Sequence, residues 1–570
     1  MSEQAQARPA PGTERPREET VTSFRRIADE QLRMRIGKVV SVSGSRVLMM
    51  IDLPEDHEAE HMPRIGDAVC LETGRADIVA SVAGLSAPAA GIGEEEGNVL
   101  IAELGIIGEF RVGEAGARLF RRGITAYPSL GDIAASLTLE DKSVLYGTRN
   151  ENYYRVGEMS DGSALPAVID ARALLDSNFA IIGMSGAGKT CAAASIVRTL
   201  IQNRHPCRTV VIDLNNEYTN CFGKVANVMR LGSGSLSHWM LTFRELVHMI
   251  MASAGRLSEA ELELLGEAVC AARRRYLQAN PSSYVREGTE LSTVNVDMPL
   301  PYRFSDVVGY LDRSAHTDQR YDGETFRRLR TRLVTVAKDP HFKTFLSSAG
   351  AQDSLAAFLS KLLRIPVEGK PVTVLQLADQ SQDVTEVVVS AVTRYMQLVA
   401  SATEQSTPFL LLLEEAHRFL PADTGDASLS SRTLGKIIEK SGKNNVSIGM
   451  ITSQPRSLSR KAWEYCNTLF AMRMASASDK DYLHEVTPES ATDTLSSVGV
   501  LGNGEAAAVG QGAPVPMRFR FRRLPDASLP SESRSRRVSS DGLASLNRSA
   551  DKDALQDVLD QWRYGVGARD

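Results

Sequence analysis

The sequence predicts an α/β protein in which a mostly parallel β-sheet, covered by helices, follows a small β-barrel. Two observations carry the sheet. Continuous apolar runs (NFAII, RTVVIDL, PVTVLQL, PFLLLL and VSIGMI) read as strands buried on both faces, and the segments between them have helical spacing. A glycine-rich turn also joins the first of these runs to a helical segment. The barrel rests on short alternating strands separated by Gly-containing turns, over roughly 110 residues from Ile36 onward.

Composition narrows the class. The chain has 570 residues, 43% hydrophobic and 24% charged, which excludes collagenous, disulfide-scaffold and mainly disordered proteins. Its length allows roughly three or four domains. No apolar run approaches the about 18 residues a membrane span needs. The first twenty residues lack the apolar core of a secretory signal, so the expectation is a cytoplasmic protein with no membrane partner. Net charge is −5, so any nucleic-acid contact must come from a local basic surface. The six cysteines are scattered without a CxxC pair, which points to free thiols rather than zinc.

Taken in order, residues 1–22 are rich in Pro, Glu and Arg and read as a disordered arm. Residues 23–165 form the barrel domain, starting from GKVVSVSGSRVLMMIDL with its Ser-Gly-Ser turn. Residues 166–245 and 371–524 form the α/β core, and 246–370 a helical insertion. In the insertion, Ser258 and Glu261 make a capping box, and Arg273 to Arg275 are expected near a helix C-terminus. ETFRRLRTRLVTVA is a second amphipathic helix. Its Arg327, Arg328, Arg330 and Arg332 suit a solvated face, or contacts to phosphates. PMRFRFRRLP alternates, with Met517, Phe519 and Phe521 on one face and Arg518, Arg520 and Arg522 on the other. It is expected as an edge strand, or as a subunit or nucleotide contact. Residues 525–570 read as a linker and a short helix carrying Trp562.

The chemistry concentrates at strand ends. Gly183 to Thr190 fits G-x-x-x-x-G-K-[ST], after a strand and before a helix. The phosphate-binding set is Gly183, Ser185, Gly186, Ala187, Gly188, Lys189, Thr190 and Cys191. Backbone N–H groups and the helix N-terminus attract phosphate oxygens. Lys189 reaches the β- and γ-phosphates, and the Thr190 hydroxyl binds Mg²⁺. The cofactors expected are therefore ATP and Mg²⁺. The apolar run ending in Glu414-Glu415 has the form of a Walker B strand. Glu414 is expected on the metal and Glu415 on the attacking water. Most P-loop proteins have Asp in the first place; Glu414 is one methylene longer. Asp213 ends another run and could assist metal or water, or cap its own loop. Gln454 ends a further one, where an amide could sense the γ-phosphate or likewise serve as a cap.

Together these features resemble the HerA-type ATPases of the HerA–FtsK group. The resemblance covers roughly residues 34–523. It is carried by the barrel with IGKVVSVSGSRV, the P-loop, DLNNEY at Asp213, EEAH at Glu414, TSQP at Gln454, and GNGEAAAVG followed by PVPMRFRF. It implies a RecA-like motor with an inserted helical bundle, capped by the barrel. It also implies six subunits around a channel for double-stranded DNA, and a nuclease or other effector supplied in trans. The implied activity is ATP-driven DNA translocation in end processing or anti-phage defence. The alternative is a slowly hydrolysing ring that scaffolds and regulates an effector enzyme. Two positions depart from the family pattern. Its Asp-Glu-Ala-His is Glu-Glu-Ala-His here. Its trans-acting arginine falls at Lys443, and lysine supplies charge without the forked geometry.

Overall fold

A computed structural model describes residues 33–52, 62–87, 100–112, 118–147, 150–161, 165–231, 236–280, 293–346, 352–403, 407–422, 428–440, 442–443 and 445–531. The expected arm at 1–22 and the terminal helix with Trp562 lie outside these residues.

The first seven strands build the barrel. They are β1 (Arg35–Ser43), β2 (Arg46–Ile51), β3 (Ala68–Glu72), β4 (Asp77–Ser86), β5 (Leu100–Val112), β6 (Arg118–Arg122) and β7 (Ile133–Ser136). Strand order β2-β1-β7-β3-β4-β5 closes through an additional β2–β5 pairing, giving six antiparallel strands in a ring; β6 extends β5 outside it. Closure removes the free edges that a sheet of this size would otherwise present. Alternation puts Val47, Met49 and Ile51 of β2 inside, with Val39, Leu71, Ile78 and Leu104.

The other eleven strands form one sheet. They are β8 (Tyr153–Met159), β9 (Pro166–Asp170), β10 (Asn178–Ile182), β11 (Arg208–Asp213), β12 (Ala226–Arg230), β13 (Val372–Gln376), β14 (Phe409–Leu413), β15 (Val446–Thr452), β16 (Cys466–Met472), β17 (Glu505–Gly510) and β18 (Met517–Phe521). Their order is β12-β13-β11-β14-β15-β10-β16-β17-β18-β8-β9. The seven strands from β12 to β16 run parallel, and the last four are antiparallel. Helix Lys189–Gln202 covers one face, and helices Gln382–Ala402 and Leu429–Glu439 cover the other. Strands β10, β13, β14 and β15 are buried at every position, as a sheet covered on both faces requires.

Three expectations are corrected here. The barrel domain was expected to run to residue 165, but β8 already belongs to the large sheet. It pairs with β18, which is therefore an interior strand and not an edge. The alternation of β18 itself holds. Met517, Phe519 and Phe521 pack into the core beside helix Lys189–Gln202, while Arg518 and Arg520 pair with Glu505 between them. The helix Glu259–Ala279 keeps its Ser258–Glu261 capping box but runs past Arg273 to Arg275. Arg273 is an interior residue, 1% exposed, donating to the Asn295 carbonyl at 2.8 Å under the Tyr302 ring.

The helices between β12 and β13 pack as a layered bundle around Trp239, Leu264, Leu329 and Leu333. The arginine-rich helix Gly323–Lys338 turns Arg327, Arg328 and Arg330 to an exposed face, where each is paired with a carboxylate of the bundle. Arg327 and Arg328 pair with Glu324, Arg330 with Asp312, and Arg332 with Glu261. Arg394 of the core reaches into the bundle to Glu245 at 2.9 Å, where Ser390 also donates to the same carboxylate. Several contacts tie the barrel to the rest of the chain. Among them, Arg46 pairs with Asp493 at 3.4 Å. Arg122 donates to the carbonyls of Gly510, Ala513 and Pro514 in the β17–β18 turn.

Glu245 is 2% exposed, so removing its partner strands a charge in the core. Arg394→Met should cost about 3 kcal/mol of stability, read by urea unfolding, as breaking one side of a buried pair does. Adding Glu245→Gln to that variant should recover part of the loss.

Candidate active site

The site lies at the carboxyl edge of the parallel strands. The turn after β10 begins the P-loop, and helix Lys189–Gln202 starts inside it. Gly183 has φ of 156°, and a Cβ there would sit 2.9 Å from the Cβ of Met472 on β16. Gly188 has φ of 106°, a conformation that L side chains rarely adopt. The loop is braced from below. Met184 N–H donates to the Arg473 carbonyl at 2.9 Å, and the Ala187 carbonyl accepts from Gly504 N–H at 3.0 Å. Ser185 and Gly186 face solvent at its crest, Ala187 is buried, and Cys191 is half-buried on the second turn.

Lys189 curls back over the loop, donating to the carbonyls of Gly183 at 2.9 Å and Met184 at 3.2 Å. Burial lowers its pKa, and the charges of Glu415, Glu217 and Glu414 oppose that shift. Thr190 Oγ1 donates to Glu217 Oε2 at 2.6 Å.

Glu414 and Glu415 follow β14, beside β11 and β15. Glu414 is 5% exposed; its Oε2 accepts from Leu214 N–H at 2.8 Å and its Oε1 from Asn215 Nδ2 at 3.0 Å. Burial, then the carboxylates of Asp213 and Glu217, push its pKa up to about 8. Asp213 is fully buried, and burial raises its pKa as well. Its two oxygens accept from Glu217 N–H and Tyr218 N–H, each at 3.0 Å. It thus closes its own loop, one of the two roles its position suggested.

Glu415 sits in the left-handed region at φ 46° and is partly exposed. Its carboxylate accepts from Ser453 Oγ at 3.1 Å and lies 3.4 Å from His417 Nδ1. His417 in turn contacts Thr452 Oγ1 at 3.0 Å. Gln454 follows β15 on the same edge; its side-chain carbonyl accepts from Ser457 Oγ at 3.2 Å. Lys189, Thr190, Asp213, Glu414, Glu415 and Gln454 thus share one edge. Lys443 does not. It is exposed ahead of β15, at the opposite end of that strand, and the adjoining Gly442 packs against the Asp176 carbonyl before β10.

Sequence reasoning assigned no role to Glu217, Ser453 or His417. Glu217 stands in the quoted DLNNEY, and the Asn-Asn pair before it signals a tight turn. Asn216 takes φ of 57°, which brings the chain back toward the P-loop. Ser453 and His417 are contacts across two strand ends, and no spacing in one segment announces such a pair.

The arrangement fits a magnesium nucleotide. A Cβ at Gly186 would meet nothing within 4 Å, so the crest is open. The donors are a lysine, a hydroxyl and loop N–H groups, which suit phosphate. Among the described residues no group of three or more His, Cys, Asp or Glu could hold a metal ion alone.

Residues 154–396 match the family model described as the central domain of helicase HerA. That central segment is similar to that of the HerA-type P-loop ATPases. Among named relatives, the DNA double-strand break repair helicase HerA of Pyrococcus furiosus is 21% identical over 378 residues. That match covers 62% of this chain and 66% of the relative. A probable DNA double-strand break repair helicase HerA of Methanocaldococcus jannaschii is 22% identical over 404 residues, covering 63% and 74%. Among solved structures, VirB4 of Thermoanaerobacter pseudethanolicus is 13% identical with a TM-score of 0.48, covering 66% of this chain and 98% of that one. The plasmid coupling protein TrwB in complex with ADP and Mg²⁺ is 11% identical with a TM-score of 0.41, covering 68% and 93%. Among the described residues, no helix is long and apolar enough to cross a membrane.

The tight approach of the P-loop to β16 gives a direct test. Gly183→Ala should cost about 1–2 kcal/mol through the strained backbone and the Met472 contact. Thermal melting should show a midpoint lowered by a few degrees.

Proposed function

We propose that this chain is the subunit of a cytoplasmic hexameric ring that hydrolyses ATP to move along double-stranded DNA in its central channel. It works with a separate nuclease or other effector, in DNA end processing or anti-phage defence. The observation that supports this most is the convergence of Lys189, Thr190, Glu415 and Gln454 on one sheet edge. The matched relatives, which bear the name of DNA double-strand break repair helicases, point the same way.

Lys189 holds the β- and γ-phosphates, and loop N–H groups with the helix N-terminus hold the rest. Bound Mg²⁺ supplies charge neutralisation on phosphate oxygens. Glu415 accepts a proton from, and orients, the attacking water; Ser453 and His417 keep its carboxylate aimed. Gln454 senses the γ-phosphate. Lys443 is too far along β15 to serve its own site; the resemblance to HerA-type ATPases suggests a role on the neighbouring subunit's γ-phosphate, where positive charge stabilises transfer.

The slowly hydrolysing scaffold remains the second reading. It is favoured by Glu414 in place of aspartate and by lysine at 443. ATPase assays with and without duplex DNA separate the two. A motor is stimulated by DNA, and the stimulation fades as salt rises because phosphate contacts release counterions. Salt-insensitive, DNA-independent hydrolysis would favour the scaffold. Native mass spectrometry should give about 370 kDa, six times the 62.0 kDa chain.

Lys189→Ala should weaken ATP binding, whereas Glu415→Gln should keep binding and slow hydrolysis by about a hundredfold or more. Lys443→Ala should slow hydrolysis about tenfold or more with hexamer mass unchanged. Mixing it with Lys189→Ala should restore activity, since one subunit supplies the site and the other the cation. Mixed rings that form without recovery would return Lys443 to a surface role.

A further inference from the structure

The acidic pair at the end of β14 has a neighbour that changes how its roles divide. We propose that Glu217, rather than Glu414, is the carboxylate that positions the Thr190 hydroxyl on the metal side of the phosphate cradle. This rests on reading the P-loop as a Mg²⁺-nucleotide site.

A threonine oxygen offers its lone pair to a divalent cation most effectively when its proton is held by an acceptor on the far side. Such outer partners orient the ligating group and tune its affinity. In this chain the acceptor is Glu217. The Thr190 Oγ1 to Glu217 Oε2 distance of 2.6 Å is that of a short hydrogen bond to an ionised carboxylate. Glu414 has both oxygens engaged elsewhere, by Leu214 N–H and Asn215 Nδ2. Its extra methylene takes the carboxylate into the loop after β11, and its contacts there tie β14 to that loop.

Glu217 is held to this task by its backbone. Its N–H donates to Asp213 Oδ1, and its carbonyl accepts from Ser531 N–H at 3.3 Å and Cys221 Sγ at 3.6 Å. The next residue, Tyr218, is fully buried, stacked on Phe222, and bonded through its N–H to Asp213 Oδ2. Asp213 therefore fixes two successive backbone donors of the loop. The Glu217 side chain leaves a rigid turn toward the first turn of helix Lys189–Gln202. Glu217 is a positioning residue, acting through Thr190, and Asp213 is the brace that sets its reach.

The test measures binding, not turnover. ADP is titrated into the full chain by calorimetry, once with Mg²⁺ and once with EDTA, and the ratio of the two Kd values is the Mg²⁺ enhancement. Parental binding in EDTA establishes the phosphate cradle independently of the metal; a parent that binds ADP in neither buffer overturns the nucleotide reading itself. Given that binding, Glu217→Gln should lower the enhancement at least tenfold. Glu217→Asp, which keeps the charge but shortens the reach, should lower it as well. Glu414→Gln should change it less than threefold. Thr190→Val should lower the enhancement about as much as Glu217→Gln does, leaving a measurable remainder, and adding Glu217→Gln to it should change nothing further. Parental enhancement in Glu217→Gln, or an equal loss in Glu414→Gln, overturns the assignment. So does a further loss when Glu217→Gln is added to Thr190→Val, because that would place Glu217 on the metal by a route other than the hydroxyl.

Discussion

Everything at the site depends on β10 lying parallel between β15 and β16. That pairing sets Gly183 at the sheet's carboxyl edge, puts Thr452 and Gln454 on one side of it, and puts Met472 and Arg473 on the other. One buried side chain secures the start of the strand. Asn178 accepts from Ile448 N–H at 3.0 Å and donates to the Tyr465 carbonyl at 3.1 Å, linking β10 to β15 and to the approach to β16. With the strand register set at one end, the glycine turn at the other has only the space its neighbours leave. Met472 takes up the rest, which is why a side chain at position 183 comes at a cost.

How much of this is readable without coordinates depends on where the constraint is stored. Strands β10, β11, β13, β14 and β15 are stored locally, as apolar runs ending in polar residues, and so were the P-loop and the paired acids. Strand β8 was not. YYRVGEM has mixed polarity, and only pairing with β18 decides which sheet it joins. Strand β18 was legible in part. Its clean alternation marked a buried apolar face and an exposed arginine face, as found, but its interior place in the sheet is set by partners from other segments, β17 and β8. Arg273 misled for the same reason. A run of arginines near a helix end looks like dipole compensation, until a carbonyl and a tyrosine ring from other segments enclose it.

The acids around Lys189 show the same division at finer scale. Asp213, Glu217, Glu414 and Glu415 carry the same functional group, yet the fold gives them different partners. Asp213 binds backbone, Glu414 binds the adjacent loop, Glu217 binds a hydroxyl, and Glu415 faces a serine and a histidine. Burial raises the pKa of Asp213, and burial followed by repulsion from Asp213 and Glu217 raises that of Glu414. Residue type announced a cluster of carboxylates; only geometry distributes the work among them.

The turn between β17 and β18 is gripped from both ends. Gly504, just ahead of β17, donates its N–H to the P-loop at Ala187, while Arg122 of the barrel donates to the carbonyls of Gly510, Ala513 and Pro514 beyond it. On the hairpin side, each of these contacts uses main-chain atoms. A strain imposed on the barrel therefore reaches the phosphate loop along a path written in backbone rather than in side chains. Outside its glycines, where Gly510 leaves no room for a Cβ, the hairpin can change side chains and keep these contacts, whereas an insertion that shifts the carbonyls by one residue would break those made by Arg122.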